Sequence, residues 1–102
     1  MWIYTFIRTD LPIAQQIVQS AHSAYESGRG LGRNVPHPRL VLLAVPDGET
    51  MEQAYLECSA FIQCYPFYET EQGLEIQLTS FTTRPITASE RPLFRGYKLW
   101  RA

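Results

Sequence analysis

The periodicity of the chain changes twice between Trp2 and Val45, and this limits the fold more than any other feature. Trp2–Arg8 is dense in aromatic and β-branched residues and reads as a first strand. From Ile13 the apolar residues switch to helical spacing, through Ala14, Ile17, Val18, Ala21, Ala24 and Tyr25, until Gly28 stops the pattern. Asp10 is the expected N-cap, with Pro12 in the first turn, where a missing N–H is harmless. Residues 40–45 are then apolar without alternation, the pattern of a central strand covered on both faces. The spacing puts the buried face of the helix near Ile17 and Ala21.

The later segments extend this order. Asp47 or Thr50 can cap a second helix over roughly residues 48–63, burying Met51, Ala54, Tyr55, Cys58 and Ile62. Residues 65–70 read as a third strand. In 74–82, Leu74, Ile76 and Leu78 alternate with Glu75, Gln77 and Thr79, which suggests a strand near the sheet edge with one solvated face. A short helix within 87–95 and a terminal strand at 97–100 complete the reading. The expected architecture is an α/β sandwich with a mixed sheet, formed by residues 1–102 as one domain; an α+β arrangement with the helices on one face is the alternative.

Charge is segregated along the chain although the net value is only −1. Residues 29–39 carry Arg29, Arg33 and Arg39, and residues 47–75 carry seven carboxylates with no cation. Residues 84–102 hold four arginines and Lys98 against Glu90 alone. Eight of the nine cations are arginine, the side chain that forks onto phosphate or carboxylate. The blocks either form a basic rim for RNA or satisfy each other within the fold or between subunits.

Several classes are excluded on composition. No apolar run approaches the roughly 20 residues of a membrane span. No basic stretch precedes the apolar start and no small-residue cleavage site follows it, so a secretory signal is not expected. Cys58 and Cys64 are too few for a disulfide scaffold, and with His22 and His37 they lack metal-ligand spacing. The expectation is a cytoplasmic protein with reduced, buried thiols, no metal and no cofactor. The Gly28, Gly30 and Gly32 run follows a helix instead of linking a strand to one, which makes a basic loop a better reading than a phosphate cradle. Trp2, Tyr4, Phe6, Phe61 and Phe67 read as core aromatics. Phe81, on the polar side of its strand, is the one that could serve as a stacking platform.

Gln15, Gln19 and His22 follow one another at i, i+4 and i+7, forming a polar stripe on the flank of the first helix. A histidine that passes protons beside two amides that position a carbonyl or a water has the makings of a hydrolytic surface. A solvated helix flank is the ordinary alternative.

Taken with its surroundings, this stripe resembles the type 2 peptidyl-tRNA hydrolase family. That family opens with a strand ending Arg-x-Asp-Leu and a helix bearing Lys-x-Ala-Ala-Gln-x-x-His-Ala. Here the strand ends Arg8-Thr9-Asp10-Leu11, and the helix keeps Gln19-Ser20-Ala21-His22. The run Arg39-Leu40-Val41-Leu42-Leu43-Ala44-Val45-Pro46 is similar to the family's second strand and turn. The tail Arg95-Gly96-Tyr97-Lys98-Leu99-Trp100 is similar to its closing Gly-His-Leu-Lys-Leu-Tyr. Thr79 stands six residues before Pro85, as the family's site threonine stands before a proline.

The resemblance implies a three-layer α/β/α sandwich with a small mixed sheet, and hydrolysis of the ester joining a peptide to tRNA, with His22, Gln19, Glu69 and Thr79 as catalytic residues. It also implies tRNA or peptidyl-tRNA as partner, with Arg8 or Arg84 supplying positive charge; Arg29 and Arg33 could reach RNA from the basic loop, for which a solvated loop is the ordinary alternative. A homodimer is compatible with either reading of the charge blocks. The chain departs from the family at the helix lysine, which is Gln15 here, and at the Asp-Ala-Gly-Arg-Thr loop. That loop reads Glu69-Thr70-Glu71-Gln72-Gly73, so Glu69 or Glu71 stands in for the aspartate. A neutral amide in place of a lysine supplies a weaker donor to a developing oxyanion. The second function class is therefore a catalytically silent module that uses the same surface to bind RNA or a protein.

Overall fold

The computed structural model describes residues 1–30, 36–70 and 75–101. They form β1 (Trp2–Arg8), α1 (Ile13–Arg29), β2 (Arg39–Val45), α2 (Gly48–Ser59), β3 (Cys64–Glu69), β4 (Gln77–Thr83) and β5 (Lys98–Leu99), with a 3-10 turn at Arg91–Phe94 before β5. The sheet order is β3-β4-β1-β2-β5. β1 and β2 run parallel, joined by the α1 crossover. The remaining neighbours are antiparallel, so the sheet is mixed.

Alternate residues of β1 and β4 face different helices. Phe6 and Phe81 enter the apolar cluster with Met51, Ala54 and Cys58 of α2, while Ser80 and Thr82 meet Ser23 of α1. The sheet is thereby sandwiched between two helical layers. The α2 side is a conventional core: Phe6 stacks on Phe81 at 4.2 Å and Tyr4 on Phe94 at 4.1 Å, offset pairings that add to area burial. Asp47 caps α2 by accepting from the Thr50 N–H at 2.7 Å.

The α1 side reverses the expectation from periodicity. Gln16, Gln19, Ser23 and Ser27 are the buried residues of this helix, while Ile17 is 57% exposed and Tyr25 66% exposed. The cause lies in the sheet beneath, whose strands present Thr5, Ser80 and Thr82 to α1. Ser23 Oγ lies 2.7 Å from Ser80 Oγ and 2.9 Å from Thr82 Oγ1, and Thr5 Oγ1 lies 2.7 Å from Thr82 Oγ1. Ser80 donates to the Phe6 carbonyl and Ser27 to the Thr83 carbonyl, each at 2.8 Å. An apolar helix face would strand these hydroxyls, and a buried hydroxyl without a partner costs about 1–3 kcal/mol. Among the described residues no buried side-chain nitrogen or oxygen lacks a partner.

Other expectations change for related reasons. Asp10 does not cap α1; its carboxylate holds Arg8, and Pro12 occupies the cap position. β4 is near the edge, second after β3, but its polar face meets α1 instead of water. β2 is not covered on both sides: α1 lies over β1, β3 and β4, and Leu40 is left 53% exposed. α2 ends at Ser59, and Phe61 beyond it is 76% exposed, outside the core. Cys58 is buried, but Cys64 is only half-buried; both are free.

Replacing Ser23 by Ala removes one hydroxyl from the layer under α1. Urea denaturation should show a loss of about 1–2 kcal/mol, and Ser23→Leu should lose more, because a side chain of that size cannot fit the space.

Candidate functional site

The site arises where α1 crosses β3 and β4. Gln19 sits on the buried stripe of α1, 4% exposed, and His22 is exposed one turn further on. On β3, Phe67 and Glu69 are two residues apart and so share a strand face. Thr79 is delivered by an irregularity in the sheet. Phe67 pairs with Ser80 and Tyr68 with Leu78, which leaves Thr79 as an extra, unpaired residue on β4.

This bulge has two consequences. Leu78 and Phe81 both enter the α2-side core, while Thr79 and Ser80 both turn towards α1. Simple alternation puts Thr79 and Phe81 on the same face; the extra residue separates them. Phe81 is consequently fully buried and offers no stacking surface.

The Gln19 side chain bridges the two strands. Its Oε1 accepts from the Thr79 hydroxyl at 3.1 Å, and its Nε2 donates to Glu69. The Thr79 hydroxyl also lies 3.2 Å from the Phe67 carbonyl oxygen, so its one proton is shared between two acceptors. The His22 ring lies against Phe67, with centroids 4.4 Å apart. Gln19, His22, Glu69 and Thr79 are therefore brought together, with Phe67 linking the histidine to the rest. Phe67 was read as a core aromatic; its spacing of two from Glu69 is the signal that places it here. Gln15 is half-buried one turn before Gln19.

Gln16 is a second residue that the sequence reading missed. Its Nε2 donates to the Leu11 carbonyl at 2.7 Å and its Oε1 accepts from Trp100 Nε1 at 2.8 Å. It thus ties the chain's tail to the start of α1. Only its place beside the Gln15/Gln19/His22 stripe hinted at this.

The arginines expected to serve this site are engaged elsewhere. Arg8 is buried, its Nε and Nη2 on the two oxygens of Asp10 and its Nη1 2.9 Å from Gln77 Oε1. Arg84 grips Glu90 through both Nη atoms and donates to the Pro85 carbonyl. Arg29 pairs with Glu26 on the surface. Arg33 and Glu71 lie outside the described residues. Both thiols are pushed up by burial, Cys58 to about 11 and Cys64 to about 12, so neither is a ready nucleophile. Among the described residues no cluster of three or more His, Cys, Asp or Glu could hold a metal ion, and no helix is long and apolar enough to cross a membrane.

No family model matches the chain, and no curated protein matches it. A solved structure of a protein of unknown function from Agrobacterium tumefaciens strain C58 is similar to it. The TM-score is 0.66 at 14% identity, covering 98% of this chain and 97% of that one. At that identity the likeness establishes a shared fold.

The Arg84–Glu90 pair has a measurable consequence. Arg84, with the Thr87 N–H, holds the Glu90 carboxyl well below its ordinary value, at about 2. A depressed carboxylate stabilises the fold above its unfolded pKa, and that contribution is lost as pH falls through the folded one. Thermal stability should therefore fall between about pH 4.5 and 2. Glu90→Gln should flatten that limb of a melting-temperature profile.

Proposed function

We propose that the three layers are those of the type 2 peptidyl-tRNA hydrolase fold, and that the cluster around Gln19 hydrolyses the ester between a peptide and tRNA. The observation that carries this reading is the bridge made by Gln19 between Glu69 and Thr79 beside His22. These residues are 50 and 60 positions from Gln19 in sequence, and the resemblance selects the same four.

The chemistry follows from their types. Glu69 takes a proton from water as the water oxygen attacks the ester carbonyl. The bond from that carbon to the ribose oxygen breaks, and His22 returns a proton to the leaving oxygen. The second N–H of the Gln19 amide faces the developing oxyanion. Thr79 fixes the amide by occupying its carbonyl, which leaves the N–H₂ end pointed at Glu69 and substrate.

A second reading is favoured by the charge pairing. Arg8 and Arg84 are neutralised by Asp10 and Glu90, and the family's lysine is Gln15. A site in which Arg8 and Arg84 are already paired and cannot meet the oxyanion suits a module that binds RNA or a protein without turnover.

Single-turnover assays with N-acetylated aminoacyl-tRNA at enzyme excess separate the two. The hydrolase reading expects release of the acylated amino acid, a loss of about 10²–10⁴-fold in Glu69→Gln, and a gain in Gln15→Lys. Substrate left intact by both the natural sequence and Gln15→Lys would overturn it in favour of the silent module.

A further inference from the structure

Arg39 from one cationic block and Arg91 and Arg95 from the other come to the sheet face opposite Gln19. α2 packs over β4, β1 and β3, and Leu43 and Val45 of β2 join its core. Beside that core a groove of about 500 Å³ opens between the 3-10 turn and β5. Tyr4, Leu43 and Leu99 contribute to its floor, Phe94 and Tyr97 to its wall, and Arg91 and Arg95 to its rim. No carboxylate lines it among the described residues.

Arg91 differs from Arg8, Arg29 and Arg84, each of which is paired with a carboxylate. Its Nε donates to the Tyr4 hydroxyl at 2.9 Å, and its guanidinium carbon sits 4.3 Å from the centre of the Trp2 ring. These two contacts fix the plane of the fork, while its Nη atoms form no ion pair among the described residues. A guanidinium held by an aromatic face and a single hydrogen bond has little freedom left to lose when an anion binds. Arg95 follows one turn later, exposed and without an ion pair among the described residues. Arg39 lies on the other side, its guanidinium carbon 5.9 Å from the Trp2 ring.

We propose that this groove binds a nucleotide, with its phosphate on Arg91 and Arg95 and its base against the aromatic and aliphatic floor. Two arginines on the groove, with no carboxylate lining it among the described residues and Arg39 near the same Trp2 ring, favour a dianion over a singly charged carboxylate, and a phosphate monoester carries about −1.5 to −2 at neutral pH. Trp2 is half-buried and Leu99 exposed in the groove, which leaves apolar surface for a flat ring, and the volume is that of an ordinary small-molecule site. A free mononucleotide and the phosphorylated end of an RNA strand share this chemistry. The groove lies on the opposite sheet face from the ester site and does not depend on that reading.

Calorimetric titration of the full chain tests it, with AMP, a 5′-phosphorylated oligoribonucleotide, adenosine and inorganic phosphate as ligands. Saturable binding of AMP or the oligonucleotide is expected, at least about tenfold tighter than adenosine or phosphate alone and weakened by salt. Arg91→Ala and Arg95→Ala should each lower affinity about tenfold, and Glu69→Gln should leave it unchanged. An oligonucleotide that binds about tenfold more tightly than AMP identifies an RNA end as the source; equal affinity identifies the free nucleotide. Arg91 also steadies Trp2 and Tyr4, so Arg95→Ala, which removes no such contact, keeps the test on a folded protein. Absence of saturable binding at millimolar AMP and oligonucleotide, or affinity unchanged in both arginine variants, would overturn the proposal.

Discussion

The hydroxyl layer between α1 and the sheet is the constraint on which the rest of the structure depends. A helix seated on hydrocarbon can slide or rotate by a few degrees at little cost, because dispersion contacts are non-directional. One seated on Ser23, Ser80, Thr82 and Thr5 cannot, since rotation would leave several buried hydroxyls unpaired together. Small side chains at Ser23 and Ser27 also let the helix backbone come close to the strands. The rotation of α1 is thereby set, and Gln19, one turn before Ser23 on the same stripe, is carried to the end of β3 and the bulge of β4. Positioning of the candidate site and docking of the helix are one interaction network.

Much of this was legible in the sequence, and the failures share a cause. The strand–helix–strand opening, the Asp47 cap and the mixed sheet follow from periodicity and turn chemistry, which are local; the three layers came from the family resemblance. The rotation of α1 was not legible, because its apolar residues Ile13, Ile17 and Val18 are the exposed ones. Hydrophobic spacing assumes an apolar acceptor surface, and the polar face of β4 is the opposite. That polar face was read as solvated for the same reason. Ser80 and Thr82 in the strand together with Ser23 and Ser27 in the helix were the missing signal, visible only when two distant segments are considered jointly.

The site was legible as a set of residues but not as a geometry. Gln19 and His22 came from helical spacing and the family resemblance, Glu69 and Thr79 from the resemblance alone. Nothing in residues 74–82 announces a bulge, since the alternation there is unbroken in sequence. The extra residue shows only in the register against β3. Its effect is large for one inserted position: without it, Thr79 would face α2 with Phe81, and the Gln19 carbonyl would lose its donor. Bulges beside sites that need a side chain re-aimed are a common use of this irregularity.

The arginines divide by partner: some are held by a neighbouring carboxylate and others lie against an aromatic ring. Arg8 is closed off by Asp10, only two residues along, and Arg84 by Glu90, six residues along; both pairings are short-range. Around the groove, Arg91 and Arg95 form no ion pair among the described residues, and Glu57 at its margin accepts from the Tyr97 hydroxyl. Of the other carboxylates in residues 47–75, Asp47 caps α2 and Glu69 accepts from Gln19. Among the described residues none of these carboxylates forms an ion pair with the arginines of residues 84–102. One cationic surface persists around Trp2 on a chain whose net charge is −1. Arginines that form no ion pair among the described residues and lie over an aromatic ring, as Arg91 does over Trp2, are partly desolvated by that ring, the arrangement in which an incoming dianion gains most from the charge already in place.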